Sequence, residues 1–272
     1  MIRAVFFDLD GTLLDSGKRI PDSARMAIAA CRARGVRMYY ATARSPRLDK
    51  MLGFTAADFA LFDGGICSNG ACVMAGGETQ YCYIDPRAVR RCMDLVSACG
   101  DVHLSLHMPD EGYAFNFEPD ASMDRSWGLS LARVCPLDEM AVCSTVKMLV
   151  FYNRLTDSTR ALPPVMMEAI RSECGGLAKI YVTDEGRTVQ LAGLEAGKLT
   201  AIERIRRSLG LTREEVAVFG DDVNDLEMIV HYPHSVAMGN AVPQVKAAAG
   251  YVTRSNDEDG VAYALQSLLP MP

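Results

Sequence analysis

Four short runs constrain this chain most. Residues 4–7 (AVFF), 36–41 (VRMYYA), 216–219 (VAVF) and 235–238 (SVAM) lack the polar alternation of a strand with one wet face. Runs of this kind form strands buried on both sides. Helical patterns stand beside them. Asp22 opens a helix that stops at Gly35, and Leu199, Ile202, Ile205 and Leu209 make one apolar stripe closed by Gly210. Pro243 starts a short helix that ends before Gly250. Strand and helix in alternation predict an α/β fold, a doubly wound parallel sheet with helices on both faces.

The middle of the chain reads differently. Asp85-Pro86 opens a helix with Val89, Cys92, Met93, Val96 and Cys99 on one side, ended by Gly100. Strand-like pieces follow at 102–108, 113–117 and 146–152, then a helical stretch around 166–174 and a hairpin at 179–191. This α+β order predicts an inserted second domain over 83–188, with 1–82 and 189–272 forming the core.

Length and charge narrow the function. A chain of 272 residues, 49% hydrophobic and 23% charged, has the composition of a globular protein with one large or two smaller domains. The net charge of −6, with no block of Lys or Arg, disfavours nucleic acid and anionic membranes as partners. No apolar run approaches the ~18 residues that span a bilayer. The start, MIRAVFF, reaches Asp8 before any signal-like apolar stretch develops. Nine cysteines, an odd number without a CxxC pair, predict buried reduced thiols and a cytoplasmic protein.

Acidic groups follow two of the strands. Asp8 and Asp10, two apart, can lie on one side of the chain beyond the first strand. Asp221 and Asp225 follow 216–219, and a helix beginning there would set them on one face at i, i+4, with Asn224 beside them. Thr42 lies at a third strand end, and open α/β sheets bind ligands at such ends. Two carboxylates about 4–5 Å apart repel by roughly 3–4 kcal/mol at an effective dielectric near 20. A proton or a cation should therefore sit between them, and oxygen ligands suit Mg2+. A calcium loop starting at Asp8 fails, because Arg19 stands where its twelfth-position glutamate belongs.

Taken together, DLDGTLLD (8–15), ATAR (41–44), Lys198 and GDDVND (220–225) resemble the four signature segments of the haloacid dehalogenase-like superfamily. SNGA (68–71), AMGNAVPQVKAAAGYVT (237–253) and SNDEDGVAYAL (255–265) are similar to its Cof-type, sugar-phosphatase-like branch. The resemblance implies a doubly wound core with an inserted cap. It implies Asp8 as nucleophile forming an aspartyl-phosphate, Asp10 as general acid and base, and Lys198 as a catalytic cation. It implies Mg2+ held by Asp8, Asp10 through its backbone carbonyl, and Asp221, with Asp225 in support. Thr42, Ala43, Arg44, Lys198 and Asn224 would bind the phosphoryl group or the substrate. Asn256 and Asp257 read as N-caps of the last helix.

Two departures from the family pattern stand out. Ala43 replaces the usual glycine, at about 1 kcal/mol if that backbone needs a positive φ. Gln190-Leu191 stands where a glutamate–hydrophobic pair is common. The expected activity is hydrolysis of a small phosphorylated metabolite. Transfer of the phosphoryl group to a second acceptor, or phospho-ligand binding without turnover, are the alternatives. The insert carries 11 Lys and Arg against 15 Asp and Glu, which disfavours a polyanionic substrate. The substrate itself and the oligomeric state are left open. Arg87, Arg90, Arg125 and Lys147 are candidate specificity residues.

Overall fold

The computed structural model describes residues 1–119, 133–152, 160–267 and 269; Arg125 lies outside them. Contacts divide the chain into two compact units, Met1–Gln80 with Gly197–Pro272, and Tyr81–Ala196.

The first unit is built on an eight-stranded sheet. Its strands are β1 (Ala4–Phe7), β2 (Arg37–Ala41), β3 (Gly64–Cys67), β4 (Cys72–Ala75), β5 (Glu78–Tyr81), β11 (Val216–Gly220), β12 (His234–Ala237) and β13 (Tyr251–Val252). Their order is β13-β12-β11-β1-β2-β3-β4-β5. Every pairing from β13 to β3 is parallel, and β4 returns antiparallel to β3. The four residues of β1 are fully buried, as an apolar strand with helices on both sides must be. Phe6 stacks on Tyr39 at 4.8 Å, and Phe7 meets Phe219 at 5.0 Å.

The chain leaves β1 for β2 on one side and later leaves β11 for β12 on the other. Right-handed crossovers then put the two sets of helices on opposite faces. The helix Asp22–Ala33 packs with Gly260–Ser267, whereas Leu226–His231 packs with both Lys198–Ser208 and Pro243–Ala248. The adjacent strands β1 and β11 flank the point where the strand order reverses, the place where such sheets gather function.

The second unit has its own five-stranded sheet. Its strands are β6 (Val102–His107), β7 (Tyr113–Phe115), β8 (Lys147–Tyr152), β9 (Ala178–Thr183) and β10 (Thr188–Gly193), in the order β7-β6-β8-β10-β9. All four pairings are antiparallel. The boundary expected after residue 188 falls inside β10, which pairs with both β8 and β9 and so joins this unit whole. Helices Pro86–Ser97 and Pro164–Cys174 pack together, and their Val89, Cys92, Val96 and Ile170 form one apolar core with Leu104, Val150, Val189 and Leu191. Asp85 caps the first of these helices by accepting from the Arg87 N–H at 2.8 Å.

Candidate active site

Asp8, Thr42 and Asp221 each come one residue after the end of β1, β2 and β11. The register pairs Phe7 with both Tyr40 and Phe219, so the three loops leave the sheet side by side. The Asp8 N–H still donates to Phe219 O at 3.0 Å. Sheet geometry, not chain proximity, brings the two acidic segments together.

Lys198 binds them. It is 3% exposed, begins the helix Lys198–Ser208, and donates from Nζ to Asp8 Oδ1 and to Asp225 Oδ1, each at 2.6 Å. A lysine at a helix N-terminus opposes the helix dipole and is costly to bury. Burial lowers its affinity for a proton, but Asp225 and Asp8 outweigh burial and hold Lys198 charged. The turn Ser68–Gly70 fixes its backbone. Gly70 has φ +94°, and a Cβ there would lie 2.3 Å from the Gly197 carbonyl oxygen. Only glycine lets this turn rest on the residue before Lys198.

Ligand oxygens of Asp8, Asp221 and Asp225 lie within 4.8 Å of one another. Burial pushes Asp8 well above the usual carboxylate range; Lys198 opposes this, while Asp225 and Asp221 add repulsion. Burial likewise pushes Asp221 up to about 6, with Thr12 opposing and Asp225 reinforcing the shift. Hard carboxylate oxygens under mutual repulsion are a donor set that fits a divalent cation such as Mg2+. Gly11 makes room for them. Its φ is +79°, and a Cβ there would lie 2.3 Å from Asp221 Oδ2.

The expected route from Asp221 to Asp225 needs correction. No helix spans the two: Val223–Asp225 is a single 3-10 turn, and the α-helix begins only at Leu226. They approach because Asp225 Oδ2 accepts the N–H groups of Asp221 and Asp222, at 3.0 and 3.2 Å. Asp225 is fully buried and spends both oxygens on its neighbours, Oδ1 on Lys198 and Oδ2 on the loop.

Asp10 shows the reverse charge pattern. Arg44 grips it with two bonds, Nε to Oδ2 at 2.6 Å and Nη2 to Oδ1 at 2.7 Å, and Lys18 adds a third at 2.6 Å. Burial would raise Asp10, but these two cations outweigh it and hold the carboxyl below its ordinary value. Arg44, expected at the substrate, thus contacts Asp10. Thr42 is buried, and its Oγ1 accepts from the Arg44 N–H at 3.1 Å. Ala43 is not among the residues with positive φ, so the strain considered for it does not arise. Asn224 is exposed and donates to Asn69 Oδ1 at 3.4 Å, in the turn beside Gly197. Gln190 lies buried on β10 in the other unit, and its Nε2 has no hydrogen-bond partner among the described residues.

Two contributors escaped the sequence reading. Thr12 Oγ1 donates to Asp221 Oδ1 at 2.7 Å, and Lys18 reaches Asp10 from a left-handed turn. Thr12 sits inside the quoted DLDGTLLD, so its type was visible though its partner was not. Lys18 carries no signal in the sequence.

An open parallel sheet with clustered acids and a buried lysine at its switch point defines a doubly wound α/β protein with one acidic centre. The chain belongs to the haloacid dehalogenase-like hydrolases, whose family profile matches residues 5–265. It is 29% identical over 275 residues to YkrA of Bacillus subtilis, a protein named as a phosphatase, covering 98% of this chain and 97% of that one. It is 25% identical over 266 residues to YcsE of the same organism, covering 97% and 95%. YcsE is named a 5-amino-6-(5-phospho-D-ribitylamino)uracil phosphatase. Among solved structures it is similar to BT4131, described as a subclass IIB sugar phosphatase, with 26% identity, a TM-score of 0.76, and 97% and 98% of the two chains covered. No helix among the described residues is long and apolar enough to cross a membrane.

Proposed function

We propose that this protein is a Mg2+-dependent phosphatase of small phosphomonoesters that works through an aspartyl-phosphate on Asp8. The observation that carries the reading is the buried Lys198 shared by Asp8 and Asp225, with Asp221 close by at the strand ends. Lys198 fixes the rotation of the Asp8 carboxylate by holding Oδ1. The attack of Asp8 on phosphorus divides the hydrolysis into two easier steps. Asp10 protonates the departing alkoxide and later accepts a proton from the attacking water, with Arg44 and Lys18 setting its orientation. Thr42 and Lys198 donate to phosphoryl oxygens. Asp8, the Asp10 carbonyl and Asp221 would hold the ion, with Asp225 positioning them. When bound, Mg2+ neutralises charge between the acids and the phosphate dianion.

Relatives named for a phosphorylated ribityl compound and for sugar phosphates support a sugar-like phosphomonoester as substrate. Residues Tyr81–Ala196 form the cap that selects it. The nine cysteines, all thiols, fit the reducing cytoplasm, although Cys99, Cys135 and Cys143 are exposed and not buried as expected.

The test measures phosphate release from p-nitrophenyl phosphate and a panel of sugar phosphates. Turnover that disappears with a chelator and in Asp8→Asn supports hydrolysis. Turnover only with an added sugar acceptor makes the protein a phosphotransferase, and binding without turnover removes the reading.

A further inference from the structure

The GNA and SND pieces at 239–241 and 255–257 have no place in the chemistry above, and the side chains of Asn256 and Asp257, expected as caps of the last helix, bond to other segments instead. Ser255 caps only the short 3-10 turn Asn256–Glu258 ahead of that helix, accepting from Asp257 N–H at 3.3 Å. The amides of Asn240 and Asn256 reach elsewhere. Asn240 Nδ2 donates to Gly11 O and Asn256 Nδ2 to Leu14 O, each at 2.8 Å. The two asparagines are themselves linked, with Asn256 N–H donating to Asn240 Oδ1 at 3.1 Å. Asp257 then takes both Ser16 N–H at 2.7 Å and Ser16 Oγ at 2.5 Å.

We infer that Asn240 and Asn256 are positioning residues: they clasp residues 11–14 by the Gly11 and Leu14 carbonyls and so fix Asp10 relative to Asp8. From Asp8 through Leu14 the chain turns tightly. Leu13 N–H returns to Asp8 O at 3.2 Å and Leu14 N–H to Leu9 O at 2.9 Å. The turn's own bonds hold its inner side only. A side-chain amide is directional, so two of them on the outer carbonyls set the peptide planes on either side of the turn. The Gly11 carbonyl is decisive, because its peptide joins the glycine packed on Asp221 to Thr12, which donates to Asp221. The same segment is anchored to the acidic loop by Val242 N–H on Asp221 O at 2.9 Å. One clasp therefore ties the turn carrying Asp10 to the loop carrying Asp221.

The inference rests on the phosphatase reading and is tested with Asn240→Asp and Asn256→Asp. These keep the shape but turn an oxygen toward a carbonyl. A mislaid acid–base group lowers turnover more than binding, so kcat on p-nitrophenyl phosphate should fall about tenfold or more with KM within about twofold. Ser23→Ala is the control. It removes the exposed Ser23–Asp259 bond, which joins the same two stretches of chain outside the clasp, and should shift Tm while leaving kcat unchanged. Variant kcat values within about twofold of wild type overturn the inference, as does a loss that only follows the folded fraction. A wild type without turnover overturns the phosphatase reading first, and the positioning role falls with it.

Discussion

The two sheets of this protein handle polar groups in opposite ways. In the first unit the parallel strands are apolar but for Arg37 at the start of β2 and His234 and Ser235 on β12, and acidic charge is concentrated where β1 and β11 end. In the second the antiparallel strands alternate, so polar side chains spread across one face. On β6, Val102, Leu104 and Leu106 join the helix-covered core, whereas His103, Ser105 and His107 face the other way. Burial, with Lys147 adding repulsion, pushes His107 well below its ordinary range and keeps it neutral. Its Nε2 lies 3.0 Å from Ser105 Oγ. One unit thus stores charge at a few linked points, and the other stores stability in an apolar layer.

The largest effect expected is on turnover. Asp8→Asn should reduce phosphate release to background, and Asp10→Asn should lower kcat by about 10²–10⁴-fold, read in a steady-state phosphatase assay. Neither change should harm the second unit's fold. Next in size is Lys198→Met, which leaves Asp8 and Asp225 buried with no cation. A loss of about 3–5 kcal/mol is expected in chemical denaturation without metal. A stability unchanged by this substitution would end the idea that the first unit is held together by its charges.

Ile170→Ala probes the other side of the comparison. Emptying a fully buried site in the second unit should cost about 2–5 kcal/mol there. Below the unfolding transition, kcat on an aryl phosphate should stay near wild type. An equal loss in both units, followed by calorimetry, would show that the two are not energetically separate.

Asp221→Asn should give the smallest change in stability, and of the opposite sign. It removes one of three repelling carboxylates, so the metal-free protein should gain about 1–2 kcal/mol at pH 8, discounted for the group's partial exposure. The folded pKa of Asp221, about 6, lies above its unfolded value. Its favourable protonation is complete below the unfolded value and lost as pH rises through about 6. The gain over wild type should therefore shrink as pH falls below 6, in thermal melts across pH 5–8. Activity should be lost at every pH.

What the sequence made legible follows from the same contrast. Strand ends draw the candidate site from unbroken stretches, so Asp8, Asp10, Thr42 and Asp221 could be named as its candidates from DLDGT, ATAR and GDDVND alone. The doubly wound core was equally readable from four apolar runs. Lys18 and Asn256 were not, because their roles depend on how loops turn and on partners in other segments. Asp225 was found for a partly wrong reason: the spacing suggested a helix, and the loop's own N–H groups made the contact instead. Across the second unit, polar groups that meet on one face come from strands far apart in sequence. Nothing short in the chain announces them.

Gly11 carries a consequence for how this protein can change. Every other residue type brings a carbon where an acidic oxygen of Asp221 already stands, in a backbone shape that only glycine adopts freely. The turn that follows Asp8 and Asp10 is therefore closed to variation at this position, and inherited change must arise in other parts of the chain.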